Sequence, residues 1–236
     1  MLNETFYLDG IDARSAGIQL QAPIVFSEAV PVVEAQTIPG RNGDLILETG
    51  SYENRSGSAS CFCLQKDVEK AVSSAGRFLM GKKGYRRLET SDDPDHYWMA
   101  RVENSPQIAM RLRTLAPFEI GFDCKPQRFL KNGEYTIEFT ESGSLFNQYG
   151  QIALPFITLH GQGAGTLTIG DCVVDVKALD CTLYLDSDTQ NAYNDKGNQN
   201  LNINAPVFPV LVDGEIPIAF SGGIERVEII PRWWEL

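Results

Sequence analysis

The sequence predicts a mainly β chain of two domains with a single α-helix. Three observations carry this. Short extended segments, several with period-two alternation, recur along the whole chain. Only one stretch has helical periodicity. A break containing proline and glycine near residues 125–134 interrupts the pattern and sets the domain boundary. At 236 residues the chain has room for two domains of about 100–150 residues, each with its own core.

Taken in order, Glu4 to Leu8 alternates and closes at Asp9-Gly10, a turn dipeptide. Ile18 to Leu20 and Val30 to Gln36 read as further strands. Ile38-Pro39-Gly40-Arg41-Asn42-Gly43-Asp44 holds one proline, two glycines and an Asn-Gly pair, so it predicts a tight loop or hairpin before the strand Leu45–Leu47. Ser58 to Leu64 is extended. From Gln65 to Met80 the apolar residues Val68, Ala71, Val72, Ala75, Phe78 and Leu79 recur in three- and four-residue steps and line one helix face. Gly81 stands where a C-terminal cap belongs. Such a stripe packs on a sheet.

Tyr85–Glu89, Tyr97–Val102, Gln107–Leu115 and Pro117–Cys124 then read as strands; in the last, Phe118, Ile120, Phe122 and Cys124 alternate towards one buried face. Beyond the break the candidates are Tyr135–Phe139, Leu154–His160, Gly165–Ile169, Cys172–Val176, Cys181–Leu185, Leu201–Asn204, Val207–Pro209, Pro217–Phe220 and Val227–Ile230. Many short strands joined by Gly- and Asn-rich turns point to a β-sandwich.

The net charge of -11 repels a phosphate backbone, so sequence-specific nucleic-acid binding is not expected. One basic cluster, Lys82-Lys83-Gly84-Tyr85-Arg86-Arg87, reads as a solvated loop after the helix, with a contact to an acidic neighbour as the alternative. The five cysteines are an odd number in a chain large enough to do without disulfide staples. They read as reduced core residues, with Cys61 and Cys63 on one strand face. Met1 to Thr5 lacks a basic region followed by an apolar one, and no apolar run reaches the roughly 18 residues of a membrane span. Neither a secretory signal nor membrane insertion is expected.

Catalytic signatures are missing. Gly57-Ser58-Ala59-Ser60 and Ser142-Gly143-Ser144 do not match a nucleophile elbow. His96 sits in a charged turn and His160 ends an apolar strand, so both read as satisfied histidines and not as bases. No P-loop occurs. Gly161-x-Gly163-x-Gly165 follows a strand with no helix after it, and reads as a hairpin turn. Asp186-Ser187-Asp188-Thr189-Gln190 begins like a calcium loop, but Asn191 and Gly197 stand where glycine and glutamate are required. It reads as a polar loop with Asx-turns, a low-affinity calcium site being the minor alternative. With 31 acidic residues, a carboxylate pair at glycosidase spacing carries no information. No catalytic residue, metal or cofactor is assigned.

Five stretches, in order, resemble the distal tail protein family of long-tailed phages, also described as siphovirus tail component proteins. They are Tyr7-Leu8-Asp9-Gly10-Ile11-Asp12 with Gly17-Ile18; Ile38-Pro39-Gly40-Arg41-Asn42-Gly43-Asp44-Leu45 with Glu34 before it and Gly50-x-Tyr52 after it; Phe122-Asp123-Cys124-Lys125-Pro126-Gln127-Arg128-Phe129; Leu145-Phe146-Asn147-Gln148-Tyr149-Gly150 with Pro155-x-Ile157-Thr158-Leu159-His160-Gly161; and Pro231-Arg232-Trp233-Trp234. Asp213-Gly214-Glu215-Ile216 departs from the family, which often has Gly-Glu-Asn there.

The resemblance implies an N-terminal β-sandwich over residues 1–130, with one helix and an extended hairpin or belt, and a C-terminal galectin-like β-sandwich over residues 131–236. It implies a structural component of a tail tip or baseplate. Six subunits would form a hub ring around the DNA channel, with back-to-back rings as a further option. Implied partners are the tail tube protein, the tail-tip or tail-associated protein, the end of the tape-measure protein and, optionally, a receptor-binding protein. The protein would reside at the virion tail tip after assembly in the bacterial host cytoplasm, and would not be an enzyme.

Ile38, Pro39, Gly40, Arg41, Asn42 and Gly43 are the ring-interface candidates. Arg41 would bridge a carboxylate on the next subunit or stand as a solvated loop-tip charge. Core packing is favoured for Trp233 and Trp234, with one of them a candidate partner or sugar contact. A carbohydrate-binding module contacting host cell-wall polysaccharide is the alternative function, and a cell-wall glycosidase a third. A galectin-type sugar site wants a His-Asn-Arg-Trp constellation; His160 is present, but no Asn-Pro-Arg segment follows it.

Overall fold

The computed structural model describes residues 4–64, 68–103 and 115–236. It divides into two compact units, Met1–Arg128 with Leu236, and Phe129–Glu235. Each has its own buried apolar cluster. The chain is mainly β, with curled antiparallel sheets.

The first unit contains β1 (Phe6–Leu8), β2 (Ile11–Asp12), β3 (Ile18–Leu20), β4 (Val25–Phe26), β5 (Pro31–Gln36), β6 (Leu45–Tyr52), β7 (Arg55–Leu64), α1 (Val68–Met80), β8 (Arg86–Thr90), β9 (His96–Val102) and most of β10 (Leu115–Leu130). Its main sheet runs β2-β1-β8-β9-β10-β7-β3, with β4 also on β7. The β1–β2 turn places Asp9 and Gly10 both at positive φ, the geometry a two-residue hairpin requires. Alternation fixes the core: Phe6 and Leu8, Ala59, Cys61 and Cys63, and Phe118, Ile120, Phe122 and Cys124 all face inward. Helix α1 lays Ala71, Ala75 and Leu79 on this layer, with Val72 and Phe78 at its margin. It ends where the Gly81 N–H returns to the Arg77 carbonyl at 2.9 Å and Arg86 donates to the Phe78 carbonyl at 2.7 Å. The expected helical residues Gln65–Asp67 and the expected strand residues 107–114 lie outside the described residues.

Two expectations change here. Proline at 126 does not break the chain: β10 continues to Leu130. Its pairing with β7 ends at Cys124↔Arg55, so beyond that point the missing proline N–H costs no bond to β7. The basic cluster is a solvated loop only in part: Lys82 to Tyr85 are exposed after the helix, but Arg86 and Arg87 open β8. Lys82 and Arg86 both reach Asp9 at 2.9 Å. Burial pushes the Asp9 carboxyl up, but these two cations outweigh it and hold it below the usual carboxylate range. Arg87 pairs with Glu89 and lies 3.8 Å over the Tyr97 ring.

The second unit contains β11 (Ile137–Phe139), β12 (Gly143–Asn147), β13 (Phe156–Ile169), β14 (Cys172–Asp186), β15 (Asn191–Asn194), β16 (Gly197–Asn198), β17 (Ile203–Asn204), β18 (Gly214–Ile230) and β19 (Trp234–Glu235). The sheet order is β11-β18-β13-β14-β15-β16, with β12 on β18 and β17 on β14. Six expected short strands are therefore three long ones. Gly161-x-Gly163-x-Gly165 is not a hairpin turn but an irregular stretch inside β13, where the registers with β14 and β18 shift. At Gly161, Gly165, Gly222 and Gly223 the backbones meet with no room for side chains. A Cβ on Gly161 would lie 2.0 Å from the Gly223 carbonyl oxygen, and one on Gly223 1.9 Å from that of Gln162. The glycines bend the strands without ending them. Val207–Pro209 is not a strand.

Candidate functional site

The hairpin β5–β6 is a two-stranded sheet of its own, with no third strand among the described residues. The loop from Thr37 to Asp44 that joins its strands is pinned by the Thr37 hydroxyl donating to Asp44 Oδ1 at 2.8 Å. Its root is held by Thr49 Oγ1 on the Val32 carbonyl at 2.9 Å and by the Glu53 N–H on the Val30 carbonyl at 2.9 Å. Gly40 and Gly43 sit at φ 84° and 80°, so glycine is needed at both turns. Pro39, Gly40, Arg41, Asn42 and Gly43 are exposed and Ile38 is half-buried. Arg41 has no ion pair among the described residues.

The register shows what the arm presents. Glu34 pairs with Leu47 and Gln36 with Leu45 on one face, Val33 with Glu48 and Ala35 with Ile46 on the other. Apolar side chains therefore emerge on both faces. Ile46 is 53% exposed, Val33 47% and Leu47 44%. An isolated two-stranded hairpin is marginal in water. This one also leaves three large aliphatic groups in solvent, a state in which burial against something else is favoured.

A second constellation lies on the outer face of the second unit's sheet. Glu138, Glu228, Thr158, Tyr184 and Tyr193 form one cross-strand row over β11, β18, β13, β14 and β15. His160 and Arg226 pair in a neighbouring row. His160 Nε2 lies 3.1 Å from Glu228 Oε1, though without a well-aligned hydrogen bond. Arg226 Nη2 lies 3.2 Å from the same oxygen and its Nη1 3.6 Å from Glu138. The rings of Phe156, Tyr184 and Tyr193 follow one another at 5.9 and 5.3 Å, and Arg232 covers Phe156 at 5.6 Å. Sequence spacing hides this group, because its members come from five strands spread over some ninety residues. The signal for it is the polar or aromatic residue between buried ones on each strand.

The remaining sequence candidates resolve individually. Trp233 is 7% exposed in the second core. Trp234 packs at its margin and donates Nε1–H to the Ile152 carbonyl at 2.9 Å. Asp186 pairs with Arg232 at 2.7 Å and accepts the Asp188 N–H at 3.2 Å, an Asx-turn. Burial pushes its carboxyl up, but Arg232 outweighs that and holds it below the usual range. No three-ligand metal group occurs among the described residues. His96 Nδ1 meets Asp93 at 2.7 Å, and Arg128 reaches the same carboxylate at 2.5 Å.

All five cysteines are free. Cys61, Cys63 and Cys124 are core residues, as expected of them. Cys172 is half-buried and Cys181 is exposed, a correction caused by backbone: Cys181 stands at φ 64° in the middle of β14. Burial pushes the thiols of Cys61 and Cys124 up to about 12. At about pH 8, iodoacetamide should therefore label Cys181 well before Cys61 or Cys124. Peptide mapping checks this, and early labelling of Cys124 would contradict the packing described.

No family model and no curated protein matches the chain. Among solved structures it is similar to the SPP1 Dit (gp 19.1) protein, described as a paradigm of hub adsorption apparatus in Gram-positive infecting phages. The two share a TM-score of 0.74 over 96% of this chain and 97% of that one, at 14% identity. At that identity the likeness is one of fold: this chain has the fold of a phage distal tail protein.

Proposed function

We propose that the chain is a structural subunit of a long-tailed phage tail tip, assembling as a hexameric hub and not acting as an enzyme. The observation that carries this is the β5–β6 arm, which exposes aliphatic groups on both faces in a chain with the fold of a tail hub protein. The arm's natural occupant is the next copy of the chain. Ile38 to Gly43 lead that contact, with Arg41 offered to a neighbouring carboxylate. In this reading the first unit forms the ring around the DNA channel, and the second unit is a galectin-like sandwich. The tail tube protein, the tail-tip protein and the tape-measure end are its partners, with a receptor-binding protein as an optional further one, and assembly takes place in the host cytoplasm.

The test is solution mass by light scattering over a range of salt and protein concentration, alone and with tube and tail-tip proteins added. A hexamer or a pair of stacked hexamers is expected. A monomer under every condition would overturn the reading.

The outer face of the second unit supports a second reading, a carbohydrate-binding module. Tyrosine rings beside a His–Glu–Arg cluster offer apolar faces to sugar C–H groups and charged partners to hydroxyls. Titration with host wall polysaccharide distinguishes it: saturable binding lost in Tyr184→Ala supports the module, and no binding removes it.

A further inference from the structure

The chain contains two Asn-Gly dipeptides, Asn42-Gly43 and Asn132-Gly133. Glycine after asparagine leaves the next peptide nitrogen open to the asparagine side chain, because no Cβ stands in the way. The structure treats the two sites oppositely. Asn42 and Gly43 are exposed on the arm tip. Neither has a hydrogen-bond partner among the described residues, and a Cβ on Gly43 would meet nothing within 4 Å. Asn132 instead donates Nδ2–H to the Tyr149 hydroxyl at 2.8 Å, and its carbonyl accepts the Tyr135 N–H at 3.3 Å. Gly133 is buried with its carbonyl on the Arg232 N–H at 2.8 Å, and a Cβ there would lie 2.3 Å from Trp233 N. The second site has neither the freedom nor the space to cyclise.

We infer that Asn42 is a site of self-modification. The peptide nitrogen of Gly43, having lost its proton, attacks Asn42 Cγ. A nitrogen–carbon bond forms, the Cγ–Nδ2 bond breaks, and ammonia leaves with the proton. Water then opens the five-membered imide at either carbonyl, giving aspartate or isoaspartate. No redox partner is needed. The product places a carboxylate beside Arg41, and in its isoaspartyl form it adds a backbone methylene to the β5–β6 loop. If the tip is an interface, which rests on the hub reading, a subunit waiting unassembled ages at this residue while an assembled one is protected.

The purified full chain is held at mildly alkaline pH and sampled for peptide mass mapping, beside an unstructured peptide of the tip sequence. Asn42 should convert to an Asp/isoAsp mixture at least about tenfold faster than Asn132, a ratio equivalent to about 1.4 kcal/mol in barrier. Asn42→Gln should remove the tip signal. An intact Asn42 when the peptide is largely converted, or an Asn132 that converts as fast, overturns the inference. Comparing monomeric and assembled fractions separates the two ideas: slower conversion in the assembly supports protection, and equal rates overturn protection but not the chemistry. If no assembly forms, the hub reading fails and the modification stands.

Discussion

Gly223→Ala should cost the second unit about 3–5 kcal/mol, the range reserved for changes that a core cannot absorb. The new Cβ would sit 1.9 Å from the carbonyl oxygen and 2.7 Å from the carbonyl carbon of Gln162. Both atoms are backbone in a paired strand, so no rotamer relieves the clash. Strands β13 and β18 would have to part where their register already shifts. Gly163→Ala is the control: φ is 89° but nothing lies within 4 Å, so only left-handed backbone strain of about 1–2 kcal/mol applies. Urea unfolding followed by the emission of Trp233 and Trp234 reads both. A Gly223→Ala midpoint equal to that of Gly163→Ala would show that the strands do not approach as described.

The double substitution Ile46→Glu, Leu47→Glu should abolish high-mass assembly and leave the free chain folded. Successive strand residues point to opposite faces, so one glutamate enters each face of the arm. Both positions already stand in water, and exposed substitutions cost about 0.5 kcal/mol or less. Burying either carboxylate against a neighbour without a partner costs several kcal/mol, which lowers affinity by about a thousandfold or more. Arg41→Ala should weaken assembly less, by about 1–2 kcal/mol. Light scattering and far-UV circular dichroism are read together. A folded variant that assembles like the parent would remove the arm from the interface.

Much of this architecture is legible in the sequence, for identifiable reasons. The loop from Ile38 to Asp44 is readable because proline and Asn-Gly restrict backbone angles locally, whatever surrounds them. Helix α1 is readable because its stripe is long enough for the period to be counted. The strand faces of Cys61 and Cys63 and of Phe118 to Cys124 follow from alternation alone. What fails is whatever a partner strand decides. Glycine serves a turn and a bulge equally well, so Gly161 to Gly165 reads as an ending when it is a kink. Pro126 reads as a break because the sequence does not say where β7 stops. The exposure of Cys181 depends on a positive φ that no neighbouring residue announces. The group of Glu138, His160, Tyr184, Tyr193, Arg226 and Glu228 exists only through sheet order, and pairwise register is not written in a single chain. The fold resemblance was readable because it rests on several short, ordered stretches, each weak by itself.

The arm has one more consequence, for the chain before it meets a neighbour. Among the described residues each of its two strands keeps an unpaired edge, and such an edge is a template for uncontrolled growth into aggregates. Glu34 and Glu48 stand opposite Leu47 and Val33, so a carboxylate sits beside an aliphatic group on either face. Together with the net charge of -11, they act as gatekeepers that keep free copies apart. That protection is electrostatic and therefore conditional. Salt shortens its reach to about 8 Å at physiological strength. The free subunit is most soluble in dilute buffer, and clouding as salt is added should begin at the arm, before either core has opened.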